Sequence, residues 1–384
     1  MDKFSHIRPY RDHEIRPVLE QLLEDREFID SMAAFASRRL ARWIPGLLRN
    51  LTRRRLRRWI ESVHDVQSMQ EVVEFYMNRS IRTTTWGLSQ DGLEKFQPGK
   101  AHVFVSNHRD IVMDPAFTNL LLHRAGFSTL QIGVGDNLLK KPFVAELMRL
   151  NKSFIVHRSL KGRELLLALQ LLSEYIHHCV EDSENVWIAQ REGRAKDGID
   201  RTDPALVKML AMGKRKLPLY ESLAGLHIVP VAISYEFDPC DEFKAQELHE
   251  VRTTGSFTRT AAGDLCHIAA GMTRFKGRVH VAFGEELRCE NEDAEAVAAA
   301  VDRQIIRNYR LYETNYRALE ILLDEGELNS PALRQAAAGR DVDIRSRDLF
   351  DRRLARVEGE LRKLYLFGYA NPVISRYECE AGAN

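Results

Sequence analysis

The sequence has little that would mark a secreted, metal-bound or membrane-spanning chain. Its five cysteines (Cys179, Cys240, Cys266, Cys289 and Cys379) are scattered and odd in number, and no Cys-x-x-Cys pair occurs. This argues against a disulfide framework and against a zinc site, and it fits a reducing compartment. No apolar run approaches the roughly 18 residues that a spanning helix needs. The opening Met-Asp-Lys-Phe-Ser-His carries no apolar signal core. A cytoplasmic protein is expected, one that meets a membrane only by lying on its surface. An excess of one charge sign is also missing: Lys+Arg 56 stand against Asp+Glu 55 in 384 residues. Attraction to nucleic acid or to anionic lipid must then come from local clustering. There is no internal repeat, no low-complexity segment and no Gly-x-Ser-x-Gly nucleophile motif. Gly133-Val134-Gly135-Asp136-Asn137 lacks the third glycine of a dinucleotide fingerprint and reads as a turn.

What is present is a hydrophobic content of 44%, ample for a core, and one strongly biased stretch. Nine arginines and no acid fall between positions 38 and 58. Trp43, Ile44, Leu47, Leu48, Leu51, Leu56, Trp59 and Ile60 supply the apolar side, and Pro45-Gly46 predicts a break or kink. Arginine on one face and Trp/Leu on the other is the pattern of a helix lying in an anionic bilayer surface. Solvated structural helices and a nucleic-acid patch compete with that reading. Nothing else in the chain resembles a nucleic-acid module, so no nucleic-acid partner is expected.

Residues 1–100 read as a basic, amphipathic helical region, with helical spacing over Pro17 to Leu40 and Val66 to Arg79 and a short extended edge over 82–88. From residue 101 strand and helix patterns alternate. Strands are expected at 102–106, 128–134, 153–157, 185–190, 226–235 and 277–284. Helices are expected near 114–125, 141–150, 161–181, 203–214, 293–323 and 345–366, with a polar loop at 251–263. The fold class is α/β: a mainly parallel sheet flanked by helices over 101–290. An N-terminal helical region precedes it, and a C-terminal helical segment over 291–384 packs on it.

Four strand ends carry candidate chemistry, where open α/β sheets place their sites. After Val103-Phe104-Val105 comes Ser106-Asn107-His108, and a helix opens near Asp114-Pro115. Asp110 and Asp114 both lie within reach of His108, and a histidine oriented by a carboxylate is a general-base unit. Phe154-Ile155-Val156-His157-Arg158 is an apolar strand ending in cations, and an arginine there can grip a phosphate with two hydrogen bonds. Glu192-Gly193-Arg194-Ala195-Lys196 is a polar turn that can cradle an anion. Ile228-Val229-Pro230-Val231-Ala232-Ile233 is an apolar run around a proline, a residue that usually marks an edge strand. No residue cluster suggests a metal.

Asn107-His108 with Asp114-Pro115-Ala116 resembles the first block of the glycerolipid acyltransferases, the glycerol-3-phosphate and 1-acyl-sn-glycerol-3-phosphate (lysophosphatidate) acyltransferases. The other three stretches resemble that family's later blocks, in its order. The family places four residues between His and Asp. Here five separate His108 from Asp114, so the partner is Asp114 or Asp110. The third block lacks one residue between Gly193 and Arg194. The resemblance implies acyl transfer from acyl-CoA or acyl-carrier protein, as co-substrate and without a cofactor, to glycerol-3-phosphate or a lysolipid in phospholipid biosynthesis. His108 is then the base, Arg158, Gly193 and Arg194 bind the acceptor phosphate, and Asn107, Glu192 and Pro230 support the site. Residues 38–60 would hold the protein on the anionic inner face of the membrane. The alternative is a non-catalytic membrane-surface protein on the same fold.

Overall fold

Short β-branched runs bounded by polar turns form strands that are buried on both faces, the usual state of parallel sheets covered by helices. The computed structural model describes residues 2–36, 43–288 and 293–382. The strands are β1 (Gly87–Asp91), β2 (Val103–Ser106), β3 (Gln131–Gly135), β4 (Ser153–Val156), β5 (Val186–Ala189), β6 (Ile228–Tyr235) and β7 (Arg278–Phe283). They lie in the order β1-β7-β6-β2-β5-β3-β4. β2 is central and parallel to both β5 and β6. β3 joins β5 to β4, again in parallel. β7 runs antiparallel to β6 and carries β1 parallel to itself. The sheet is therefore mainly parallel, and residues 1–100 contribute its edge strand β1.

Side chains alternate between the faces. Val103, Val105, Val186 and Ile188 pack under the Gly162–Glu181, Pro204–Ala211 and Ala294–Asn308 helices. Phe104, Trp187, Val229 and Val231 pack on the opposite side with the Val66–Thr84 and Met113–Arg124 helices. Two satellite cores complete the chain. One joins the Asp12–Glu24, Pro45–Ile60 and Pro142–Leu150 helices. The other joins the Glu313–Asp324, Ile344–Leu354 and Gly359–Ala381 helices.

Pro230 sits inside an interior strand, not at an edge. Its carbonyl accepts from the Gly284 N–H at 2.8 Å. In a strand the N–H and C=O of one residue point the same way. The missing donor of Pro230 therefore faces the chain just beyond β7, where the ladder has ended, and the β2 pairing is spared.

Several helical expectations are corrected. The polar stretch 251–263 is mostly helix: Asp241–Thr254 ends at Gly255, whose φ is +81°, and Ala261–Thr273 begins at Thr260, whose side chain accepts from the Gly263 N–H. The expected 293–323 helix is two helices, Ala294–Asn308 and Glu313–Asp324. The link between them turns across β6, where the Arg310 N–H donates to Ser234 Oγ at 2.8 Å. The expected 345–366 helix is likewise split into Ile344–Leu354 and Gly359–Ala381, and the Val66–Thr84 helix runs on past Arg79. Positions 38–42 of the arginine-rich stretch lie outside the described residues.

The C-terminal helix touches the third polar turn directly. Gly198 has φ +81°, and a Cβ there would stand 2.3 Å from the Gly368 carbonyl oxygen. Gly198→Ala should destabilise the protein by at least about 1–3 kcal/mol from backbone strain alone, read as a lower denaturant midpoint with an unchanged slope. An unaltered midpoint would show that this contact is not tight.

Candidate active site

The site begins where β2 stops. Asn107 carries the β2–β6 pairing one step further with its side chain. Its Oδ1 accepts from the Ile233 N–H at 2.7 Å, and its Nδ2 donates to the Ile233 carbonyl at 3.1 Å and to Asp200 Oδ2 at 3.2 Å. The chain then turns over residues 108–112 into the Met113–Arg124 helix. Asp114 lies in the first turn of that helix and is fully buried.

The Asp114 carboxylate organises the turn. Oδ2 accepts from the backbone N–H groups of Arg109 at 2.6 Å and Asp110 at 2.8 Å, and lies 2.9 Å from His108 Nδ1. Oδ1 accepts from the Tyr235 hydroxyl at 2.7 Å. Burial, followed by the charge of Asp114, raises the Tyr235 phenol far above its ordinary range, which keeps it a donor. A carboxylate surrounded by donors assigns the histidine tautomer: Nδ1 carries the hydrogen, and Nε2 is left with its lone pair. The His108 ring meets Trp187 edge-on, with centroids 5.9 Å apart.

Of the two carboxylates left open by the spacing, Asp114 contacts His108. Asp110 turns the other way. Its Oδ1 accepts from the Val112 and Met113 N–H groups at 3.0 and 2.9 Å, which opens the helix, and its Oδ2 lies against Gly271. Burial and the neighbouring Asp114 push the Asp110 carboxyl up from its ordinary value. The extra residue between His108 and Asp114 is absorbed in the turn, so the contact survives the changed spacing.

The third turn is pinned to this one: the Ala195 N–H donates to the His108 carbonyl at 2.8 Å. Gly193 has φ +75°. Arg194, expected at a phosphate, is buried and already engaged. Its Nη2 contacts His267 Nδ1 and lies 3.5 Å from Glu247 Oε1. Lys196 also reaches Glu247. Burial works against the Glu247 charge, yet Lys196 and Arg194 hold its carboxyl below the usual range. Glu247 and His267 come from helices on either side of the expected 251–263 loop, stretches for which the sequence pattern suggests no element and hence no partner for Arg194. Arg158 is different. It follows β4, its backbone N–H donates to Asp136 Oδ1 at 3.2 Å, and its guanidinium, 25% exposed, is 3.6 Å from the exposed Glu192 carboxylate. Pro230, paired with Val105 in mid-sheet, stands behind the site rather than in it.

Residues 88–234 match the family model described as Acyltransferase. That span holds His108, Asp114, Arg158, the Gly193 turn and nearly all of β6. Residues 88–234 therefore resemble an acyltransferase domain. The chain is similar to the glycerol-3-phosphate acyltransferase of Pseudomonas putida (strain GB-1), 28% identical over 230 residues, 58% of this chain and 26% of that protein. It is also similar to the glycerol-3-phosphate acyltransferase of Xanthomonas axonopodis pv. citri (strain 306), 33% identical over 146 residues, 38% of this chain and 16% of that protein. The chain thus spans about a quarter or less of the length of these curated relatives. The crystal structure of the 1-acyl-sn-glycerophosphate (LPA) acyltransferase PlsC from Thermotoga maritima is similar at 15% identity. It covers 62% of this chain and 79% of that one, with a TM-score of 0.35, too low to compare folds in detail.

In and beside the matched span, sequence reasoning missed two supports. Tyr235 closes the fourth block, and a hydroxyl at a strand's C-terminal end was the signal. Arg109, next to the histidine, is buried with Asp200: its Nη2 donates to Asp200 Oδ2 at 2.6 Å and to the Gly198 carbonyl at 3.1 Å. It ties the first turn to the third.

His267 supplies a pH test of the Arg194 cluster. Burial, then the adjacent Arg194, lowers its pKa from 6.5 to about 4. Between these values the unfolded chain binds a proton that the folded chain refuses, so stability falls as pH drops from about 6.5 toward 4. His267→Gln should flatten that fall in denaturant titrations. Identical slopes for wild type and variant would count against it.

Proposed function

We propose that this protein is a glycerolipid acyltransferase. It moves a fatty acyl group from acyl-CoA or acyl-carrier protein to a free hydroxyl of glycerol-3-phosphate or lysophosphatidate in phospholipid biosynthesis. The observation that carries the reading is the 2.9 Å contact between His108 and an Asp114 saturated with donors. An alcohol near neutral pH is a poor nucleophile, so a base must take its proton as it attacks. His108 Nε2 takes that proton while the alcohol oxygen bonds to the thioester carbonyl carbon. Asp114 stabilises the imidazolium. As the tetrahedral intermediate collapses, the carbon–sulfur bond breaks and the departing sulfur receives the proton from Nε2. Direct transfer is favoured over an acyl-enzyme. Cys240, 4.0 Å from Asp110 Oδ2, is fully buried, and burial together with Asp110 pushes its thiol up to about 12. That leaves negligible thiolate at neutral pH. The names of the curated relatives support a phosphorylated glycerol acceptor, with Arg158 as its phosphate ligand.

The test is thiol release from acyl-CoA and from acyl-carrier protein, with glycerol-3-phosphate, lysophosphatidate or no acceptor. His108→Ala and Asp114→Ala should each cut acceptor-dependent release by about 10²–10⁴. Asp110→Asn keeps a carbonyl for the two accepted N–H bonds and should stay within about tenfold of wild type. Full activity of His108→Ala would end the mechanism. No release from any pair by folded protein that still binds anionic vesicles would favour the non-catalytic membrane-surface protein.

A lipid product calls for a membrane face, and the Pro45–Ile60 helix supports one. No described helix is long and apolar enough to cross a membrane. The expected two-faced helix is corrected: Leu56, Trp59 and Ile60 turn inward onto the N-terminal core. Trp43, Leu47 and Leu51, spaced four apart, are 82%, 58% and 52% exposed. Arg54, Arg55 and Arg58 are exposed on the same side. Apolar anchors beside arginines suit an anionic lipid surface. Co-sedimentation with phosphatidylglycerol vesicles should be lost in Trp43→Ser/Leu47→Ser and weakened by salt. Equal binding to phosphatidylcholine would sink this surface as the anionic-lipid contact.

A further inference from the structure

A phosphate monoester carries nearly two negative charges at neutral pH, and one partly exposed arginine is a sparse receptor for it. The structure brings a second arginine to the same turn from outside residues 88–234. Arg259 lies in the short link between the Asp241–Thr254 and Ala261–Thr273 helices. Its Nη2 stands 3.5 Å from where a Gly193 Cβ would be. On the same turn, Arg158 Nη1 is 3.6 Å from Glu192 Oε1. The two guanidiniums thus border neighbouring residues, 192 and 193. Burial is the main cause that lowers the Arg158 pKa, and the positive charge of Arg259 adds to it. Lys140 strengthens the field: its Nζ donates to the Arg259 carbonyl at 3.3 Å. Three carboxylates face these cations, Glu192 and Asp136 beside Arg158 and Asp264 beside Arg259 and Lys140, and of them Glu192 is the exposed one that an anion can displace. The turn continues to Ala195, whose N–H holds the His108 carbonyl at 2.8 Å. The clamp and the general base are thus carried on turns joined by a hydrogen bond.

We propose that Arg259 and Arg158 form a two-arginine clamp at the Gly193 turn that takes the phosphate monoester of the acceptor. The proposal rests on the acyl-transfer reading for the identity of that acceptor. At Gly193, φ +75°, an added Cβ would stand in ordinary van der Waals contact with Arg259, so the guanidinium lies directly against the turn. Glu192 is the placeholder: its single charge gives way to the phosphate.

The experiment compares wild type with Arg259→Ala and Arg259→Lys in two measurements. Calorimetry reads the binding of glycerol-3-phosphate and of inorganic phosphate without turnover. Steady-state kinetics reads kcat and the separate KM values for acceptor and for acyl-CoA. Arg259→Ala should weaken phosphate binding and raise the acceptor KM by roughly 10- to 100-fold, with kcat held within about threefold. Arg259→Lys should recover only part, because a lysine cannot make the forked contact. A KM that rises for acyl-CoA and not for the acceptor would overturn the proposal, since the cations would then serve the phosphate of the donor. Unchanged binding and KM in an active Arg259→Ala enzyme would overturn it while leaving acyl transfer intact. If no pair of substrates turned over, yet glycerol-3-phosphate binding fell in Arg259→Ala, the clamp would stand and the acyl-transfer reading would fall.

Discussion

Four donors converge on the buried carboxylate of Asp114, and the geometry of the site depends on that convergence. Two are backbone N–H groups of the preceding turn, one is His108 Nδ1, and one is the Tyr235 hydroxyl. A buried charge is costly unless its lone pairs are satisfied, so this carboxylate dictates the turn around it. It shapes the 108–112 loop, selects the histidine tautomer and requires β6 to lie beside β2. The β2–β6 pairing, extended by the Asn107 side chain, meets that requirement. The proline in β6 is tolerated on the other side of the strand, where its missing donor faces the chain beyond the end of β7.

The cations around the site divide by what already holds them. Arg109 is locked to Asp200, and Arg194 to Glu247, all four buried, with the partly buried His267 beside Arg194. Such buried pairs contribute less to net stability than to fixing one arrangement, and removing one partner leaves the other uncompensated. They join the first turn, the third turn and the Asp241–Thr273 helices into one support. Arg158 and Arg259 are held more loosely and are only partly buried.

The strand pattern was legible because each strand is a short apolar run ended by a polar turn. All six strands expected from residue 101 onward are present, shifted by no more than about three residues. The helices at 241–273 were not legible. Asp241–Thr254 is charge-rich with a weak apolar face and packs on the C-terminal helix, while Ala261–Thr273 is a run of small apolar residues without a marked periodic face. The broken helix at 309–312 was missed for a related reason: both halves keep helical spacing, and the break is imposed by the Arg310–Ser234 contact.

The sequence by itself determined the sheet, the order of the four strand-end blocks, and the set of residues able to meet at one edge. Linear spacing limits which groups come near one another. Tertiary structure decided which of them are engaged. It chose Asp114 over Asp110 by placing Tyr235 and the turn's N–H groups around one carboxylate. It withdrew Arg194 by burying it against Glu247, and brought Arg259 to a turn some 65 residues earlier in the chain. It turned Leu56, Trp59 and Ile60 inward while leaving Trp43, Leu47 and Leu51 outside. Each of those choices depends on burial and on the number of donors or acceptors supplied from distant segments, and neither quantity is carried by local sequence.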